Sequence, residues 1–228
     1  MTHLLCIETA TEICSVALSA DGECLCCAEE TEGYSHAEKI MLLVDQCLQQ
    51  AGLETTAIDA VCISSGPGSY TGLRIGTSTA KGLCYALHIP LIAVSSLQGI
   101  AWGAIGQLQH HPLFCPMIDA RRMEVYCALY DRQGNQVQEV HNEIVTDGFL
   151  RNELAASTIV FCGNGAEKCK PLLSSNAHAV FSDSLSSARY LTRPAFEAWK
   201  QKRFEDTAYF EPFYLKEFRA GVPHVKGL

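Results

Sequence analysis

The feature that most constrains this chain is a short apolar run, Ala60-Val61-Cys62-Ile63, that passes through Ser64-Ser65-Gly66-Pro67-Gly68-Ser69-Tyr70-Thr71-Gly72 into a helical stretch ending near Leu87, with Pro90 beyond. Strand, glycine turn and helix in that order form the unit from which α/β folds are built. Within the helix, Leu73, Gly76, Ala80, Leu83 and Leu87 recur at steps of three and four. Each glycine costs a helix about 1 kcal/mol relative to alanine. Gly72, Gly76 and Gly82 therefore imply that another backbone comes close, and either a sheet of the same chain or a second subunit satisfies that need.

The surrounding sequence supplies more units of the same kind. Leu4 to Ile7, Ser15 to Ser19 and the turn at Asp21-Gly22 read as an antiparallel meander. Ser35 and Glu38 have capping-box spacing and Gly52 supplies a stop, which predicts a helix over 36–51. Its stripe of Ile40, Val44, Cys47, Leu48 and Ala51 is widened by Met41, Leu42 and Leu43, too apolar for an ordinary surface helix. Leu91 to Val94 is another buried strand, followed by a helix through Leu97, Ile100 and Ile105. Gln107 to Pro112 punctuates the chain, and strands at 114–119 and 124–130 follow. The domains expected are residues 1–104 and 105–228, the last helix, at about 187–202, and the tail returning to the first lobe. Ile159 to Cys162, Gly163-Asn164-Gly165 and a helix through Leu173 repeat the strand, glycine turn, helix theme, although no repeat is visible in the letters themselves.

Composition narrows the function. With 228 residues, 48% of them hydrophobic and 18% charged, the chain can build a sizeable core. A net charge of −8 is a poor footprint for gripping phosphate backbones unaided, so any nucleic-acid role is expected to be indirect. No apolar run is long enough to span a bilayer, and the first residues lack the features of a secretory signal, so no membrane role and a cytoplasmic location are expected. The twelve cysteines are then read as small, reduced, mostly buried residues.

Standard catalytic patterns fail residue by residue. The glycine turn leading into a helix N-terminus favours an anion, yet Thr71 stands where the dinucleotide pattern needs glycine, and no Gly-Lys-Ser/Thr triplet exists. Ser69 is flanked by Pro67 and Thr71 where a nucleophile elbow needs glycines. Cys24 and Cys27 have Cys-x-x-Cys spacing but no second pair at zinc spacing. His110-His111 lies in a loop and reads as a solvated pair.

Four segments taken together carry a family resemblance: Ile7-Glu8-Thr9-Ala10-Thr11, Ser35-His36-Ala37-Glu38, Ser65 through Gly76, and Asp119-Ala120-Arg121-Arg122-Met123-Glu124-Val125-Tyr126. In order and spacing they resemble the TsaB (YeaZ-type) family, accessory subunits of the bacterial tRNA threonylcarbamoyladenosine machinery once labelled glycoproteases or peptidase M22-like proteins. The resemblance spans essentially the whole chain. It implies a two-lobed α/β fold of the actin-like ATPase (ASKHA, RNase H-like) type, with mixed sheets flanked by helices. It also implies a non-catalytic scaffold that pairs with the catalytic subunit TsaD, which acts on N6 of adenosine 37 in tRNAs reading ANN codons. Partners implied are TsaD, the ATPase TsaE, tRNA indirectly through the complex, and a second copy of the chain when alone.

TsaD holds its metal with a His-x-x-x-His pair. Ser96 and Ile100 fall at the corresponding positions here, so no metal and no catalytic residue is expected. The resemblance places the partner-binding patch on helices 36–51 and 70–87, to which Ile40, Met41, Leu43, Val44, Leu73, Gly76, Ala80 and Leu83 are expected to contribute. A bulky residue at Gly76 should then weaken pairing and leave the fold intact. No cofactor is required, and residual ATP or ADP binding between the lobes is left open, with Glu8, Thr9, Thr11 and Gly163 positioned for it by analogy. The alternative is an actin-fold enzyme acting alone, a small-molecule kinase or a peptidase, which needs a carboxylate poised over its substrate.

Overall fold

The computed structural model describes residues 1–31 and 35–216; residues 217–228, the end of the expected second lobe, lie outside the described residues. The opening meander forms as read: β1 (His3–Glu8), β2 (Cys14–Ala20) and β3 (Glu23–Glu30) pair antiparallel. β4 (Ala60–Ser64) and β5 (Leu91–Val94) add in parallel, giving the order β3-β2-β1-β4-β5. Side chains along β1 alternate between two cores, as the period of a strand requires. Leu5 and Ile7 join α1 (His36–Ala51) and α2 (Tyr70–Leu87) on one face. Leu4 and Cys6 meet Ala188, Leu191, Ala195 and Ala198 on the other. Being covered on both sides, β1 and β4 need apolar residues at nearly every position.

The second sheet is wired identically, in the order β10-β9-β6-β7-β8. β6 (Leu113–Asp119), β7 (Glu124–Asp131) and β8 (Gln136–Ile144) form its meander, and β9 (Ile159–Cys162) and β10 (Ala179–Phe181) add in parallel. One face packs on α4 (Arg151–Ala156) and α5 (Ala166–Leu173), through Leu154, Cys169 and Leu173. The other packs on α3 (Ser96–Gln107), through Leu97, Ile100, Ala101 and Ala104.

Three local expectations need correction. The boundary at 104/105 falls inside α3, a helix that leaves the first sheet and covers the second, so this join is a continuous rod. The tail helix is shorter than read: residues Ala188–Leu191 form a 3-10 turn and α6 spans Thr192–Lys200. The capping box of α1 does not form, because Ser35 sits at φ −93°, ψ 26° rather than in an extended conformation, and its side chain makes no cap hydrogen bond. Its carbonyl accepts from Glu38 N–H and Lys39 N–H instead.

Beyond α6 the chain turns back. Glu205 N–H donates to Leu91 O at the free edge of β5 (2.9 Å), and Phe213 N–H donates to Ser65 O at the glycine block (2.7 Å). Lys216 then pairs with Glu124 of the second sheet. Among the described residues, no helix is long and apolar enough to cross a membrane.

Candidate functional site

The glycine block is a seat for the β1–β2 turn. A Cβ at Gly68 would stand 2.4 Å from Ala10 O, one at Gly72 2.1 Å from Thr9 O, and one at Gly76 2.2 Å from Thr9 Oγ1 and 2.9 Å from Ile63 Cδ1. The recurring glycine therefore lets α2 lie directly on the chain that follows β1. Ser69 N–H donates to Ala10 O at 2.7 Å, and the Ser69 hydroxyl accepts from Gly72 N–H at 3.3 Å. The start of α2 is thus closed by the protein's own carbonyl and hydroxyl, which favours a tight structural turn over an anion cradle.

This geometry corrects the partner-patch expectation. Ile40, Leu43, Val44, Leu73, Gly76 and Ala80 are all buried within the chain, on the helix side of the first sheet. Burying each aliphatic side chain contributes about 1.5–3 kcal/mol to the chain's own core. Gly76 faces Thr9, so a bulky residue there is expected to disturb the fold itself. Of the eight residues, Met41 is exposed at 44% and Leu83 is partly buried. Sequence periodicity marked the apolar stripe correctly but could not say which surface covers it. Leu42, exposed at 61%, was passed over as a partner residue although its position opposite the stripe marks it as outward.

Of the four nucleotide candidates, Glu8, Thr9 and Thr11 lie at the end of β1 and in the turn that follows it, and Gly163 follows β9. Glu8 is 1% exposed; its Oε1 accepts from Ala10 N–H (2.6 Å) and Ser64 Oγ–H (2.8 Å). Burial outweighs those hydrogen bonds and pushes its carboxyl up to about 7. Thr9 Oγ1 is buried without a partner. The Thr11 hydroxyl pairs with Ser186 Oγ, and Thr11 O meets His36 Nε2 at 2.9 Å. Gly163 has φ +88°, and a Cβ there would stand 2.4 Å from Met117 O, so its glycine serves a close approach of β6. Asn164 Nδ2 bridges to Glu12 Oε2 at 2.8 Å across the junction. The polar groups here are mostly engaged with one another.

Ser96 and Ile100 are equally committed. Ser96 Oγ accepts from Gly66 N–H at 3.0 Å, and Ile100 lies in the core beneath the second sheet. Among the described residues no group of three or more His, Cys, Asp or Glu side chains is placed to hold a metal ion.

Sequence reading missed two open grooves. One, of about 520 Å³, runs along β3 from Gly22 to Cys27, opposite Arg189 and Arg193. The other, of about 490 Å³, lies between α2 and the returning C-terminal segment, lined by Tyr70, Arg74, Thr77, Lys81, Glu211 and Tyr214 among others. The spacing of Tyr70, Arg74, Thr77 and Lys81 along one helix face was visible in the sequence, but what lay opposite it was not.

Comparison with known proteins agrees with this architecture. A family model described as TsaD, tRNA N6-adenosine threonylcarbamoyltransferase, matches residues 30–198. The tRNA threonylcarbamoyladenosine biosynthesis protein TsaB of Haemophilus influenzae is 30% identical over 223 residues, 93% of each chain. That of Escherichia coli is 38% identical over 157 residues, 67% of this chain and 64% of its own length. The solved structure of YeaZ from Pseudomonas aeruginosa superimposes with a TM-score of 0.79 at 30% identity, covering 94% of this chain and all of that one. An activator of 2-hydroxyisocaproyl-CoA dehydratase from Clostridium difficile, solved with bound ADPNP, shares the fold alone, at a TM-score of 0.53 and 9% identity over 89% of this chain and 97% of that one. The architecture is the two-sheet actin-like ATPase and kinase fold.

Proposed function

The chain belongs to the TsaB family, and on that premise we propose that it serves tRNA threonylcarbamoyladenosine biosynthesis as a non-catalytic subunit that pairs with a TsaD-type catalytic subunit. The observation that carries the non-catalytic part is the state of Glu8. It is a buried carboxyl at the junction where this fold would bind a nucleotide, held by the Ala10 N–H and the Ser64 hydroxyl, with 1% of its surface accessible. A kinase or peptidase acting alone needs a carboxylate presented to substrate, and Glu8 is not so presented.

The pairing surface is the outward side of the two helices. Met41 and Leu42 on α1 are joined on α2 by Ile75, Gly82 and Ala86, all at least partly accessible. A Cβ at Gly82 would meet nothing within 4 Å, leaving a notch in which another helix can approach closely. Leu83 borders the same surface. A stable association of this kind buries about 1,200–2,000 Å² in total. A homodimer of the isolated chain would use the same surface, and TsaE and tRNA would join through the complex.

Reconstitution tests the role. Purified TsaD-type subunit, TsaE and tRNA are assayed for threonylcarbamoylated tRNA with this chain included or omitted. Product is expected only on inclusion; equal product without the chain overturns the reading.

A further inference from the structure

The groove beside α2 opens onto a seam in which cations alternate with tyrosines. Tyr70, Arg74 and Lys81 recur at helical spacing on the side of α2 turned toward the C-terminal segment, and Tyr85 follows Lys81 one turn on, outside the groove. Arg74 lies over the Tyr70 ring at 5.6 Å, and the Tyr70 and Tyr214 rings stand 5.0 Å apart. Lys81 Nζ donates to Ala208 O at 3.1 Å, leaving its other hydrogens unassigned. Tyr85 is 81% exposed and Tyr214 37%. Thr77, lining the same groove, is 6% exposed and its Oγ1 has no hydrogen-bond partner. A buried hydroxyl left unpaired is costly, and this one borders an open groove.

The seam continues into the second sheet. Two residues beyond Tyr214, Lys216 sits 5.7 Å from the Tyr126 ring, and Arg121 is close enough to bias the Tyr126 phenol electrostatically. Arg121, in the tight turn between β6 and β7, is exposed. The carboxylates along the way are Glu211, which lines the groove, and Glu124, which is held by Lys216 and by Asn142 Nδ2. In a chain of net charge −8, a local run of four cations interleaved with aromatic rings departs sharply from the average surface.

We propose that this seam, from Tyr85 along α2 through Tyr214 to Arg121, is a docking surface for RNA, with Arg74, Lys81 and Arg121 meeting phosphates and the tyrosines stacking on unpaired bases. Sequence-tolerant RNA grooves combine a basic track with aromatic platforms, and Arg over a tyrosine face adds to both. The RNA meant is tRNA, touched by this chain itself within the complex, which rests on the tRNA-modification reading above; Tyr70, Arg74 and Lys81 are turned away from Gly82 and Ala86, and Tyr85 borders that notch.

Binding of labelled tRNA is measured by fluorescence anisotropy across a salt series, on the chain alone and on its complex with the TsaD-type subunit. The affinity scales as salt concentration to about the −0.7 to −0.9 power for each phosphate neutralised. Loss of one contact at 0.1 M salt therefore weakens binding about five- to eightfold. The variant Arg74→Gln/Lys81→Gln/Arg121→Gln should lower the salt slope by about two to three. Tyr85→Ala should weaken binding with the slope unchanged. Wild-type affinity and slope in these variants, or no RNA binding by either form of the wild type, overturns the proposal. So does loss of co-elution with the TsaD-type subunit at unchanged RNA binding, which would make the seam a protein interface. Ultraviolet crosslinking of the unaltered protein to tRNA needs no variant: crosslinks within residues 70–85 or 209–216 support the seam, and crosslinks confined to other segments refute it. The binding measurement reads no product, so its failure is distinct from failure of the reconstitution.

Discussion

Replacing Gly72 with alanine separates a glycine that seats the chain's own strand from one kept for a partner. The added Cβ would stand 2.1 Å from the Thr9 carbonyl oxygen, a backbone atom that cannot rotate away, so α2 and the β1–β2 turn must part. Overpacking of this kind costs about 1–3 kcal/mol, and at the first turn of a helix alanine recovers little of it. For a chain of this size each kcal/mol moves Tm by about 2–4 °C, so the melting temperature should fall by about 2–12 °C. Gly82→Ala is the matched control: its Cβ meets nothing, and the helix gains about 1 kcal/mol, which should raise Tm by about 2–4 °C. Gly76→Ala should fall between the two, because its nearest neighbour, Thr9 Oγ1, can turn aside. Differential scanning calorimetry on the three purified variants reads all of this. A Gly72→Ala protein as stable as the parent would refute the seat, and with it the argument that the glycine row serves the interior.

Other outcomes follow from individual groups. Glu8 holds its proton to about pH 7 in the folded protein against an ordinary 4.5, so between those values the folded state keeps a proton that the unfolded chain has released. Stability should therefore decline by up to about 3 kcal/mol as pH rises through that window; urea titrations should show the decline flattened in Glu8→Gln, and parallel pH profiles would contradict the assignment. Met41→Asp/Leu42→Asp should abolish co-elution with the TsaD-type subunit while shifting Tm by no more than about 4 °C, since both side chains are already wetted; retained co-elution would move the pairing surface elsewhere. Maleimide should label exposed Cys24 first and reach buried Cys62, Cys115 and Cys162 only after unfolding, as mass spectrometry of timed samples would show; early labelling of Cys162 would mean that the second sheet opens readily.

Much of the fold was legible because strand and helix periods are local properties. Helix 36–51 and helix 70–87 emerged with the bounds their apolar spacing and stop residues predicted. The Ser35 cap failed because a cap depends on one residue's backbone angles, which the tertiary course of the chain imposes. The site was less legible. The residues grouped for a nucleotide were readable as candidates, but the sequence did not reveal that Glu8 and Thr11 would be hydrogen-bonded from within. The groove beside α2 depends on a C-terminal segment more than 120 positions away, as the Lys81 to Ala208 contact shows, and no local pattern reports such a neighbour.

By itself, then, the sequence determined a chain of βα units with a large core, the tight glycine turn, and the family motifs. Only the tertiary structure decided that the two sheets share one wiring without sharing letters, since a hydrogen-bonded ladder constrains polarity and length far more than side-chain identity. It decided also that the oily faces of α1 and α2 belong to the interior. Apolar surface is driven out of water by whichever surface reaches it first, and here the chain's own sheet does. Among the described residues, what stays accessible includes a few wetted apolar side chains, an open glycine notch, and two grooves, one along β3 and one beside α2.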